Sequence, residues 1–217
     1  MTYAQAAVRS PQAAAWSPLA AGRLAIVALL ATGSVAHAQV LTVGDTLGKG
    51  KNGVLLSDNV VYPGEGIPSL NIAYAMYARG LSKRFDLYLS AGETTTEHAR
   101  QGWVGGGGNL HVLSAGRTSV SLFNVASVPL NRRSEASDVF LNTAVVASAP
   151  AGPRVMVYTG VNSLIPIGHR ARGIVTPPET RINIPAGATV SLGPWGLWAE
   201  ADIGSLHAFG VGLTRVF

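Results

Sequence analysis

The final nine residues, Phe209-Gly-Val-Gly-Leu-Thr-Arg-Val-Phe217, constrain the fold more than any other stretch. Counting back from Phe217, one set of alternate positions holds Phe217, Arg215, Leu213, Val211 and Phe209; the other holds Val216, Thr214, Gly212 and Gly210. Successive side chains of a strand point to opposite faces, so one face is mostly bulky and apolar and the other mostly small or polar. That pattern suits a strand with lipid on one side and a narrow, filled interior on the other. An unpaired strand edge cannot stand in lipid, so such a strand at the end of a chain calls for a closed barrel in which it meets the first strand.

The segment Val211-Gly-Leu-Thr-Arg-Val-Phe217 resembles the C-terminal strand of bacterial outer-membrane porins. The resemblance implies an outer-membrane barrel whose terminal aromatic is read by the barrel-assembly machinery. Arg215 departs from the pattern, standing where the family has an aromatic.

The other end of the chain is compatible with export. Leu24–Val35 is an apolar run preceded by Arg23 and followed by Ala36-His37-Ala38, which reads as a secretory signal peptide cleaved before Gln39. The run falls short of the roughly 20 residues a membrane-spanning helix needs, which weighs against the alternative of a retained anchor. The expected organisation is a signal peptide over 1–38, a flexible periplasmic lead-in over 39–51 and an outer-membrane barrel over 52–217.

Removing the leader takes away Arg9 and Arg23 and no acid, so the formal charge falls from +5 to +3. This weak and dispersed charge gives no nucleic-acid footprint. The absence of cysteine excludes disulfides and thiolate metal sites. Charged residues make up 12% of the chain, against about 25% in soluble domains, yet no helix-length apolar run follows Gln39. Low charge without a helical span is consistent with strands facing lipid.

Alternation and turn signals place strands near 52–62, 69–81, 84–95, 102–114, 118–129, 138–148, 154–165, 181–192, 195–204 and 206–217. Alternation is clear in Phe85, Leu87 and Leu89 against Asp86, Tyr88 and Ser90, and poor around Phe123 and Val145-Val146. In the second strand, Leu70, Ile72, Tyr74 and Met76 share one face, and the inward face is assigned to Asn71, Ala73, Ala75, Tyr77 and Arg79. Every second connection is tight: Ser82-Lys83, Ala115-Gly-Arg117, Pro150-Ala-Gly-Pro153 and Gly193-Pro194. The others are longer and more polar, except Gly204-Ser205. Short periplasmic turns and longer external loops are the habit of outer-membrane barrels. Both termini on the short-turn side require an even strand number: ten, or eight if 52–62 and 195–204 are not strands. A soluble β-sandwich is the competing architecture.

The chemistry-bearing residues do not form a recognised constellation. Gly105-Gly-Gly-Gly108 lacks the helix that a phosphate-binding loop requires and reads as room for bulky neighbours in a narrow lumen. Gly44-Asp-Thr-Leu-Gly-Lys49 lacks P-loop spacing. His98, His111, His169 and His207 show no metal-ligand spacing. Strict alternation puts His111 in the lumen and Ser114 on the opposite face, which argues against a His–Ser catalytic pair such as barrel lipid A deacylases use. Glu200 and Asp202 share one inward face and are expected to join a lumenal salt-bridge network with arginines such as Arg79. Arg132-Arg133 and His169-Arg170-Ala-Arg172 put positive charge on two expected external loops; solvated loop charge is the default reading and contact with anionic lipopolysaccharide headgroups the alternative. Trp103, Trp195 and Trp198 near strand ends are expected in aromatic girdles.

The resulting expectation is an all-β, antiparallel transmembrane barrel of about ten strands in a bacterial outer membrane. No catalytic, metal or cofactor residues are assigned. The expected role is a non-enzymatic structural or interaction protein or a narrow small-solute path, with outer-membrane lipid, lipopolysaccharide and the assembly machinery as partners. The alternatives are a barrel enzyme hydrolysing lipid or peptide through Glu97, His98 or the Glu200/Asp202 pair, and a soluble periplasmic β-sandwich binding protein.

Overall fold

The computed structural model describes residues 45–62, 69–97, 100–130, 139–167 and 180–217. The leader, Pro63–Gly66, His98, Arg132, Arg133, His169, Arg170 and Arg172 lie outside the described residues. Ten strands follow one another: β1 (Asn52–Tyr62), β2 (Leu70–Gly80), β3 (Phe85–Thr95), β4 (Arg100–Ala115), β5 (Thr118–Pro129), β6 (Val139–Pro150), β7 (Val155–Ile167), β8 (Arg181–Leu192), β9 (Trp195–Gly204) and β10 (His207–Val216). Each pairs antiparallel with its sequence neighbours, and β1 pairs with β10 to close the barrel. Closure excludes the two-sheet sandwich. The strand bounds agree with the sequence reading to within two residues, because the turn residues between them are strong local signals. Gly116 (φ 61°) and Gly193 (φ 67°), for example, adopt the left-handed conformation that two tight hairpin turns require.

The closing seam runs from Gly53 opposite Val216 to Tyr62 opposite His207. It is extended by reciprocal backbone bonds, with Asn52 N–H donating to Phe217 O at 2.8 Å and Phe217 N–H donating to Asn52 O at 2.9 Å. Phe217 thus completes the ladder with its backbone. Beside it, the Arg215 guanidinium lies 5.0 Å from the centroid of the Trp195 ring. This cation–π contact gives the buried Arg215 guanidinium an aromatic partner.

The outward positions form an apolar belt that includes Leu89, Val104, Leu110, Val145, Val161, Ile184, Leu197, Phe209 and Val211, all exposed. In a soluble protein this much continuous exposed apolar surface would be an aggregation liability. On a closed barrel it is the lipid-facing surface of a transmembrane fold.

The assignment of the β2 faces is reversed. Met76 and Ala78 are buried and Leu70, Ile72 and Tyr74 line the interior, whereas Tyr77 and Arg79 are exposed. Arg79 Nη1 donates to Asn52 Oδ1 at 3.3 Å. The polar residues of β2 stand near its ends, where outward polar groups meet interfacial water, so polarity did not mark the inward face. The aromatic girdle is likewise smaller than expected. Trp103 and Trp198 point inward, while Trp195 stands on the outward face with Arg215.

The β7–β8 ladder contains a gap. Pairing runs from Val155–Val190 to Thr159–Ala186 and resumes at Asn162–Asn183, skipping Gly160 and Val161. Pro185 in β8 has no N–H to donate. The Thr159 hydroxyl donates to the Pro185 carbonyl at 2.9 Å, supplying a side-chain bond beside the interruption.

Leu89, near the middle of β3 and strongly exposed, tests the lipid-facing belt. Leu89→Arg should destabilise the folded barrel by about 2–4 kcal/mol, the cost of a cation near the bilayer midplane. Urea titration of folding into lipid vesicles measures it, and a change near zero would show that this face does not meet hydrocarbon.

Candidate functional site: a lumenal chamber above a plug

The interior is divided along its axis. At the short-turn end, the segment before β1 enters the barrel, where Thr46 and Leu47 are buried. Leu47 N–H donates to Asp86 Oδ2 at 2.9 Å, the Thr46 hydroxyl donates to Lys83 O at 2.9 Å, and Asn109 Nδ2 donates to Asp45 O at 3.1 Å. Gly80 makes this approach possible, since a Cβ there would collide with the Gly48 carbonyl. From Asp45 onward, then, the stretch read in the sequence as a lead-in is packed as a plug. Above Leu47 the lumen is filled by Leu55, Met76, Tyr88, Val146, Tyr158 and Trp198.

Large lumenal rings are matched to glycines on neighbouring strands. The Trp198 indole of β9 lies across Gly210 and Gly212 of β10, and the Tyr158 ring of β7 lies over Gly187 of β8. Trp103 packs against Gly92 and against Tyr74, with ring centroids 5.9 Å apart. Gly105-Gly-Gly-Gly108, expected to make room for bulky lumenal neighbours, instead lies against serine hydroxyls and the backbone of the flanking strands. A Cβ on Gly105 would approach Ser90 Oγ at 2.7 Å, and one on Gly107 would collide with Asn124 O. Outward-facing Gly108 lies under the Phe85 ring, at 2.8 Å from where its Cβ would be.

On the longer-loop side of this packed zone lies a chamber of about 400 Å³. One side carries large apolar side chains, Val61 of β1, Leu70, Ile72, Tyr74 and Met76 of β2, Trp103 of β4 and Phe123 of β5, interspersed with the uncharged polar Asn59, Ser90, Thr94, Gln101 and Ser127. The other carries Asn142 of β6, Asn162 of β7, Arg181 of β8 and Glu200 and Asp202 of β9. Glu200 and Asp202 thus face inward together, as alternation predicts. Their expected partner Arg79 does not join them, being on the outer face; Arg181 shares the chamber instead. The Tyr158 hydroxyl interacts with the Glu200 carboxylate from the packed zone below. Among the described residues, the one ion pair within 4.0 Å is Arg100–Glu93 near the rim.

The His111–Ser114 reading is corrected. A register shift between His111 and Leu113 breaks the alternation of β4, and His111 Nε2 lies 3.0 Å from Ser114 Oγ. A bulge adds one residue to a strand and so returns i and i+3 to one side. The consecutive apolar pair Val112-Leu113, both exposed, was the available signal. The pair stands at the short-turn end, whereas Glu97, Glu200, Asp202 and His207 lie on the loop-side half, so the flagged residues do not converge. Among the described residues, no group of three His, Cys, Asp or Glu could hold a metal ion.

No family model matches the chain. Curated proteins give no match either. Among solved structures, the chain is similar to a de novo designed transmembrane β-barrel at 13% identity, covering 80% of this chain and 99% of that one with a TM-score of 0.36. It is also similar to the translocator domain of autotransporter NalP from Neisseria meningitidis at 9% identity, covering 90% and 94% of the two chains with a TM-score of 0.39.

Two expectations follow from this packing. Gly107→Ala should cost about 1–3 kcal/mol in urea unfolding, as overpacking against backbone does. Gly106→Ala, whose Cβ would meet nothing closer than 3.6 Å, should change stability by less than about 0.5 kcal/mol. Equal effects would show that lumenal crowding does not select these glycines. Separately, Asp86→Ala removes the acceptor for Leu47 N–H and should accelerate tryptic cleavage at Lys49 and Lys51 severalfold. Mass spectrometry of the folded barrel reads this directly, and unchanged cleavage would mean that Asp86 does not hold the plug.

Proposed function

We propose that the chain is an integral barrel of a bacterial outer membrane with a non-enzymatic binding or interaction role, and that its lumen is a blind chamber rather than a continuous path. The apolar belt and the asymmetry of turns and loops support the membrane placement. The reading orients the tight turns toward the periplasm and the chamber mouth toward the exterior. Its partners on this reading are outer-membrane lipid and lipopolysaccharide around the belt, and the assembly machinery at the strand ending in Phe217.

The observation that carries the functional reading is the plug. Leu47 is 2% exposed within the short-turn end, and Tyr88 above it is 1% exposed. Water and ions need a continuous polar route, and here the lower lumen is occupied by packed side chains. A hydrolase needs a nucleophile or activated water, an acid–base group and charge stabilisation brought to one point. The chamber brings together two carboxylates and a guanidinium, which is a means of holding a polar group.

Planar-bilayer recording of the purified full chain should show no stable open-channel current. A reproducible steady conductance would overturn the blind-chamber reading. Fractionation should place the chain in the outer membrane, with a gel mobility that shifts on heating.

A further inference from the structure

The chamber's two walls differ in what they offer a ligand. The β2 wall, Leu70, Ile72, Tyr74 and Met76, presents apolar surface to whatever enters. Across the lumen, Asp202 Oδ1, Asn142 Oδ1 and Asn162 Oδ1 are buried without a hydrogen-bond partner, and so is Arg181 Nε. Buried polar atoms are ordinarily satisfied, so these orphaned atoms mark the polar side of the lumen. The unsatisfied atoms are mostly acceptors, and a carboxylate offers no donor when ionised. Among the described lining residues there are two carboxyl groups and one guanidinium, so acidic groups outnumber basic ones. A carboxylate in such surroundings is costly unless a cation pairs with it.

We propose that the chamber binds a small amphiphilic amine, its apolar body against the β2 wall and its ammonium at Glu200 and Asp202. The proposal rests on the blind-chamber reading and names the ligand class for it. The space suits such a molecule, because about 400 Å³ lies within the range of small-molecule pockets. An ammonium carries three donors and a positive charge, which meet the acidic side chains together. An anionic amphiphile of the same shape would bring a like charge to Glu200 and Asp202, and a neutral one would bring no charge to pair with either.

The test uses the full chain refolded into lipid nanodiscs and three probes of matched shape: 2-naphthylethylamine, 2-naphthylethanol and 2-naphthylacetate. Binding is measured by calorimetry, with the signal of empty nanodiscs subtracted to remove partitioning into lipid. The amine should bind at least about tenfold more tightly than the alcohol, with the carboxylate weakest. Glu200→Gln combined with Asp202→Asn should erase the amine's advantage while leaving alcohol binding in place. Asp202→Asn alone should reduce that advantage and serves if the double variant fails to fold, as judged by the heat-dependent gel shift.

Equal affinities for the amine and the alcohol would overturn the proposal, as would an amine preference that survives both substitutions or no binding above empty nanodiscs. A barrel that proves non-conducting yet shows no amine preference sinks this inference alone. A steady conductance sinks the blind-chamber reading, whatever the probes do.

Discussion

The pairing of β1 with β10 is the interaction on which everything else depends. In hydrocarbon, every unpaired backbone N–H or carbonyl costs several kcal/mol, so an open sheet of ten strands is not an available state. Closing the sheet satisfies both edges at once and also creates an inside. Each alternating residue on ten strands then acquires either lipid or a crowded lumen as its neighbour. Phe217 participates through its backbone, since its N–H and carbonyl exchange bonds with Asn52. The terminal residue is therefore structural even before its aromatic ring is considered.

Closure imposes a packing problem that the sequence solves with rings and glycines. A narrow barrel must be filled, but it cannot hold a large side chain at every inward position. Trp198 over Gly210 and Gly212, and Tyr158 over Gly187, show the solution: a large group on one strand lies across absent side chains on the next. The arrangement fills the lower lumen and leaves the upper part open. Tyr158 joins the two zones, because its ring belongs to the packed core while its hydroxyl reaches Glu200 at the chamber floor.

The sequence disclosed the staves of this barrel better than its interior. Turn residues are local, and they placed all ten strands; alternation correctly turned Glu200 and Asp202 inward. Where local polarity was the guide it misled, as in β2, whose Asn71 and Arg79 face outward near the strand ends. A period of two also presumes an unbroken ladder, and the bulge after His111 violates it, bringing Ser114 to the imidazole. The chamber was not legible at all. Its lining comes from residues separated by more than a hundred positions, and which of them face one another depends on the register of the whole barrel rather than on any one segment.

The plug is held by a local part of the barrel. Asp45, Thr46 and Leu47 bond to Asn109, Lys83 and Asp86, at sequence separations of 64, 37 and 39 residues. All three partners lie between the β2–β3 turn and β4. The receptor for the plug therefore belongs to the first four strands alone. The seam that β10 closes contributes none of these three bonds, so the barrel is shut on one side of its wall and stoppered from another, by separate sets of residues.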